Sequence, residues 1–134
     1  MNEQILFVDD DESIRESFAL YLKTKGLVVA TAKSAQEAMW MIENAPVSLV
    51  ILDVELGNEN GLDLLAQLKQ THPKLPVIMF TSHGEDVEML TDALASGAEG
   101  YLSKNESVSI LMKEVERVLQ RPHTRSAEDD LLNN

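Results

Sequence analysis

The chain has 134 residues, 44% of them apolar and 25% charged, enough for one domain with its own core and too few for two full domains. Its 23 acids against 11 bases give a formal net charge of −12, a balance that opposes direct binding to nucleic acid or anionic membranes and favours proteins and small cations as partners. There is no cysteine, which excludes disulfides and thiolate metal sites, and no apolar run nears the ~18 to 20 residues of a membrane span, so the expectation is a soluble cytoplasmic protein.

Five short apolar runs alternate with helical patterns. The first strand reads over residues 4–8 and runs straight into Asp9, Asp10 and Asp11. Ile14, Phe18, Tyr21 and Leu22 then recur at helical spacing, and Gly26 can take the left-handed conformation that ends a helix. A second strand over 27–31 leads to Ser34-Ala35-Gln36-Glu37, a capping box whose hydroxyl and carboxylate satisfy N–H groups at the start of a helix that buries Ala38, Met39 and Ile42. The third strand, 49–53, is apolar on successive residues, as expected for a strand covered on both faces. A third helix follows Gly61 with Leu62, Leu65 and Leu68 inward and stops before Pro73.

The fourth strand, 77–80, delivers Thr81 and Ser82, and a fourth helix over 85–96 is expected to turn Val87, Leu90 and Leu94 inward and to end at Gly97. The fifth strand, 100–102, delivers Ser103 and Lys104, and the last helix, 107–119, carries an apolar stripe that includes Leu111, Val115 and Val118. Trp40 and Met89 fall off the expected stripes of their helices and are candidate partner contacts, although single exposed apolar residues are ordinary.

Three like charges at the end of a buried strand require an explanation. Carboxylates about 4 Å apart repel by roughly 4 kcal/mol at an effective dielectric near 20, so either one protonates or a cation lies between them. The plainer alternative is that one acid caps the next helix while the others are solvated. The element pattern predicts an α/β fold: a flavodoxin-like, doubly wound five-stranded parallel sheet of order 2-1-3-4-5 with five helices. In such a sheet ligands bind at the carboxyl ends of the strands flanking the reversal between strands 1 and 3. Asp9 and Asp10 would there meet Asp53, with Thr81 and Lys104 arriving at the same edge. Carboxylates, a hydroxyl and an ammonium around one point suit a phosphoryl group with a divalent ion, since Mg2+ prefers hard oxygen ligands. Lys104 would neutralise a phosphoryl oxygen, Thr81 would donate to another, and Asp53 is placed as the nucleophile. Asp11 is the expected helix cap.

The segments ILFVDDD, SLVILDVEL, LPVIMFTS and GAEGYLSK resemble, in order and at the usual intervals, the four hallmark segments of the response-regulator receiver domain of two-component signalling. The family itself exemplifies the 2-1-3-4-5 order, so the topology and the resemblance are not independent arguments. The resemblance implies a receiver domain over 1–120 and a polar tail or start of a linker over 121–134. It makes Asp53 the phosphoacceptor, with Asp9, Asp10, Asp53 and the main-chain carbonyl of Glu55 around Mg2+. It makes Thr81 the switch hydroxyl, Lys104 the phosphoryl-binding lysine and Tyr101 the aromatic that changes rotamer on activation.

The implied activity is that of a phosphorelay member and not of a turnover enzyme. A sensor histidine kinase or phosphotransfer protein supplies the phosphoryl group from a phosphohistidine, and slow hydrolysis follows. The surface of the fourth helix, fifth strand and fifth helix then controls a downstream partner, an output domain or a phosphorylation-dependent homodimer.

Several positions depart from the commonest family pattern. Asn105 follows Lys104 where a proline in a cis peptide is usual, and a cis bond before a non-proline residue costs about 2.5 to 4 kcal/mol. Ser82 stands where a small apolar residue is common, and Gly57 replaces the usual proline, which predicts a looser loop after Asp53. Glu55 and His83, two residues beyond Asp53 and Thr81, are expected to tune the lifetime of the phosphorylated state. Two other readings use the same residues: a phosphohydrolase of the haloacid dehalogenase type, with Asp9 and Asp11 in Asp-x-Asp spacing, and a pseudo-receiver interaction module. The first gives Asp53 no role, and the retention of Asp9, Asp10, Asp53, Thr81 and Lys104 weighs against the second.

Overall fold

The computed structural model describes residues 4–120, so the expectations for 121–134 lie outside the described residues. The elements run β1 (Gln4–Val8), α1 (Glu12–Thr24), β2 (Val28–Ala32), α2 (Ala35–Asn44), β3 (Leu49–Leu52), β4 (Glu55–Leu56), β5 (Glu59–Asn60), α3 (Gly61–Thr71), β6 (Val77–Thr81), α4 (Val87–Ala95), β7 (Gly100–Ser103) and α5 (Val108–Gln120). Five strands form one parallel sheet in the order β2-β1-β3-β6-β7, while β4 and β5 make a separate antiparallel pair. With that small hairpin set aside, the sheet has the expected 2-1-3-4-5 order.

Side chains alternate across the sheet because a strand repeats every two residues. Ile5 and Phe7 enter one core with Ala19 and Leu22 of α1 and Leu111 and Val115 of α5, whereas Leu6 and Val8 enter the other with residues of α2, α3 and α4. Both cores are needed, since all four residues of β3 are buried. Phe7, Phe18 and Phe80 form an aromatic trio, with Phe18 and Phe80 edge-to-face at 4.9 Å between ring centres. Phe7 and Phe80 are buried, and full burial of a side chain of this size contributes roughly 2 to 3 kcal/mol, while Phe18 is half-buried. The trio anchors β1 and β6 just below Asp9 and Thr81.

Three local expectations are corrected. In α4, Val87 is 71% and Leu94 50% exposed, while Ala93 is buried and Met89, expected to face outward, packs against the core. The helix carries two overlapping apolar stripes, Val87-Leu90-Leu94 and Met89-Ala93, both compatible with helical spacing. The second faces the sheet.

The segment after Asp53, expected as a loop, contains a short hairpin. It folds back as the β4–β5 hairpin around Gly57, whose φ of +63° supplies the conformation a tight turn needs. The Ser34 box is also modified: Ser34 Oγ accepts the Glu37 N–H at 3.1 Å, but Glu37 Oε1 accepts from Lys33, and Glu59 of the hairpin takes the Ala35 N–H. Trp40 stands exposed on α2 as its spacing implied.

The ends of the strands set the site. Beyond the strands proper, the ladder continues through Asp9 N–H to Ala32 O, Asp53 N–H to Val8 O and Lys104 N–H to Thr81 O, each at 2.8–3.1 Å. The first residues outside the sheet are therefore held by backbone bonds at a common edge.

Candidate functional site

The three consecutive acids have separate positions. Asp11 caps α1, its Oδ1 accepting the Ile14 N–H at 3.1 Å, which stabilises a helix by about 1 kcal/mol. Asp10 is exposed, while Asp9 is 1% exposed. Both oxygens of Asp9 are engaged: Oδ1 takes the Asp11 N–H at 2.9 Å and Oδ2 takes Lys104 Nζ at 2.6 Å. Arg15, which the sequence reading did not single out, donates from α1 to the Asp9 carbonyl at 2.9 Å. A basic residue one turn inside a helix that follows an acidic strand end was the available signal.

Asp53 leaves β3 directly opposite. Its Oδ2 lies 2.7 Å from Lys104 Nζ, and its Oδ1 accepts the Glu55 N–H at 3.2 Å. Gly61, the first residue of α3, packs against its backbone. An added Cβ would overlap the Asp53 carbonyl oxygen and stand 2.9 Å from the carbonyl carbon, so glycine is required for this close approach. One oxygen from each of Asp9, Asp10 and Asp53 lies within 4.8 Å of the others, a donor set of hard oxygens suited to a divalent cation.

Lys104 holds both buried carboxylates at once. Burial raises the pKa of Asp53 above the ordinary 3.8; the hydrogen bond and charge of Lys104 pull it down, and Asp9 pushes it up again. Burial is also the largest influence on Lys104 and lowers its pKa, but Asp53 and Asp9 together outweigh it and leave the ammonium above its usual 10.5.

Asp9, Asp10, Asp53, Glu55, Ser82 and Lys104 border one open cleft. Thr81 lies behind that cleft, fully buried, with Oγ1 accepting the His83 N–H at 3.1 Å. His83 and Glu55 approach across the rim, Nε2 to Oε2 at 3.2 Å, close enough for an ion pair but outside hydrogen-bond geometry. Tyr101 stays away from the cleft and donates its hydroxyl to the His83 carbonyl at 2.8 Å. Burial, then the charge of Asp86, raises its pKa above 10.0. There is no cis peptide among the described residues, so Lys104 reaches the carboxylates through a trans Lys104–Asn105 bond.

A family model for the response regulator receiver domain matches residues 5–116. The chain belongs to the response-regulator receiver family. This receiver is 40% identical over 101 residues to the alginate biosynthesis transcriptional regulatory protein AlgB of Pseudomonas aeruginosa, covering 75% of the chain and 22% of that protein. It is 39% identical over 114 residues to an NtrX-like response regulator of Rickettsia felis, covering 81% and 24%. The receiver thus spans about a quarter of the length of these relatives.

Among solved structures, the receiver domain of NtrX from Brucella abortus is 36% identical with a TM-score of 0.81, covering 87% of this chain and 98% of that one. A CheY-like receiver from Methanospirillum hungatei is 28% identical with a TM-score of 0.86, covering 94% and 100%. Receivers of this family bind Mg2+ at an acidic pocket, and Asp9, Asp10 and Asp53 form an acidic cluster that could hold such an ion. No helix among the described residues is long and apolar enough to cross a membrane.

Proposed function

We propose that Asp53 accepts a phosphoryl group from the phosphohistidine of a sensor kinase or phosphotransfer protein, and that residues 1–120 act as the phosphorylatable unit. The observation that carries this reading is the Lys104 ammonium held between two buried carboxylates, 2.6 Å from Asp9 and 2.7 Å from Asp53, beside a third acid. A carboxylate oxygen of Asp53 attacks phosphorus, the donor N–P bond breaks, and the imidazole leaves as an acyl phosphate forms.

Asp9, Asp10, Asp53 and the Glu55 carbonyl would hold Mg2+, which when bound offsets phosphoryl charge among the carboxylates. Lys104 neutralises a phosphoryl oxygen. Thr81 accepts a bond from His83 and so keeps its own hydroxyl hydrogen free to donate. Such a site works by positioning and charge neutralisation. Tyr101 is tied to the His83 carbonyl, so movement of Thr81 toward the phosphoryl group carries both with it. The α4–β7–α5 surface then controls a partner, an output domain or a homodimer.

Glu55 and His83 face each other at the rim and are proposed to set the phosphoryl lifetime. Replacing both with neutral residues, Glu55→Gln and His83→Asn, is expected to change the rate of phosphoryl loss severalfold; the same decay in both proteins would contradict this role. The wider reading is tested with Mg2+ and acetyl phosphate, locating the added group by mass. Modification at Asp53 that is absent in Asp53→Ala supports it. Rapid turnover dependent on Asp9 would instead indicate a phosphohydrolase, and no modification a pseudo-receiver.

A further inference from the structure

Thr81 ends β6 and Ser103 ends the neighbouring β7, one residue before Lys104, and the loop that follows Thr81 rests on Ser103. A Cβ added to Gly84 would lie 2.6 Å from Ser103 Cα and 2.8 Å from Ser103 Oγ, and nearer still to Ser103 Cβ. Because one of these atoms belongs to the backbone, no rotamer of Ser103 would make room. Positive φ among the described residues occurs at Gly26, Gly57 and Gly97 and not at Gly84, so the close approach and not the backbone conformation demands glycine here.

Ser103 immediately precedes Lys104 and fixes the chain around it. Its Oγ accepts the Asn105 N–H at 3.0 Å and its carbonyl accepts the Glu106 N–H at 3.2 Å. The Lys104 N–H goes to Thr81 O at 2.8 Å. On the other loop, His83 ties to Thr81 through its N–H and to Tyr101 through its carbonyl. Gly84 therefore lies where the loop bearing the hydroxyl side of the site rests on the segment bearing its ammonium. It does not border the cleft itself.

We infer that Gly84 is a positioning residue for phosphoryl transfer: by seating the β6–α4 loop on the backbone of Ser103, it fixes the point from which Lys104 reaches Asp9 and Asp53 together. This rests on the reading of Asp53 as phosphoacceptor. Any side chain at position 84 has to lift the β6–α4 loop away from the end of β7. An ammonium bonded at 2.6 and 2.7 Å to carboxylates on two different strands has little slack to absorb such a shift. Displacements of about 1 Å near a reacting centre cost up to roughly a hundredfold in rate.

The test compares wild type, Gly84→Ala, Lys104→Met and the double variant Gly84→Ala/Lys104→Met. Each is assayed for acetyl phosphate labelling of Asp53, for Mg2+ affinity by calorimetry and for urea unfolding. Gly84→Ala is expected to slow labelling by about tenfold to a hundredfold while binding Mg2+ at least as tightly as wild type. In the Lys104→Met background, the same substitution is expected to have little further effect, because its influence passes through the lysine. Adding Ser103→Gly to Gly84→Ala, which removes two of the three close contacts, is expected to restore part of the rate.

Equal labelling of wild type and Gly84→Ala would overturn the inference, as would undiminished slowing in the Lys104→Met background. A Gly84→Ala protein that does not fold would also overturn it, since the contact would then be structural. A wild type unlabelled at Asp53 would instead overturn the underlying functional reading.

Discussion

At the scale of single residues, the site is a problem of charge in a confined space. Asp9 and Asp53 are buried, and Lys104 bonds to both of them, occupying oxygens that a divalent ion would share. Replacing Lys104 with Met removes a positive charge from the cleft and should tighten Mg2+ binding while slowing phosphorylation, to be read by calorimetry and by labelling rate. In metal-free protein the same change leaves two buried carboxylates without their cation and should cost about 3 kcal/mol in urea unfolding at neutral pH.

Asp53 sets a pH dependence of known sign. Its folded pKa lies above the 3.8 of a free carboxyl, so in that interval the native state binds more protons than the unfolded chain. Its contribution to metal-free stability therefore falls as pH rises from about 3.8 through the raised folded value, and stays low above it. Asp53→Asn should lack that fall, checked by unfolding across the acid range in a chelating buffer. The sequence showed which residue types meet here but not that one lysine spans both acids. That depends on side-chain reach across strands which are distant in sequence.

At the scale of elements, short segments govern where those residues stand. Gly61 opens α3 against the Asp53 carbonyl, so Gly61→Ala should shift the Asp53 backbone, destabilise the protein by about 1 to 3 kcal/mol and reduce Mg2+ affinity, read by urea unfolding and calorimetry. The alternation of strands and helices was legible because β3 and β6 are uninterrupted apolar runs and Gly26 and Gly97 mark helix ends.

The inward face of α4 was not legible. Val87, Met89, Leu90, Ala93 and Leu94 supply two stripes of equal spacing, and the sheet accepts the one with the small Ala93. The β4–β5 hairpin was missed because its strands have two residues each and three of those four are polar, too little for an alternating pattern. Its consequence is local: Glu59 reaches the start of α2, which links the segment after Asp53 to the helix carrying Trp40.

At the scale of the whole molecule, a parallel sheet that reverses its winding between β1 and β3 brings Asp9, Asp10 and Asp53 to one edge, and β7 adds Lys104 from across β6. The hallmark segments identified this arrangement from sequence because each carries, at or just past the end of its strand, a residue of the site: Asp9, Asp53, Thr81 or Lys104. The seating of the β6–α4 loop on β7 was hidden, since the contact of Gly84 with Ser103 joins positions that neither periodicity nor charge connects.

The central claim is that this edge forms an acceptor for a phosphoryl group that needs a divalent cation. The most direct measurement is the mass of the Asp53 peptide after exposure to acetyl phosphate with Mg2+ and with a chelator. The account predicts one added phosphoryl group on Asp53 that appears with Mg2+ and is largely lost with the chelator. Labelling at another residue, labelling indifferent to Mg2+, or none at all would contradict it.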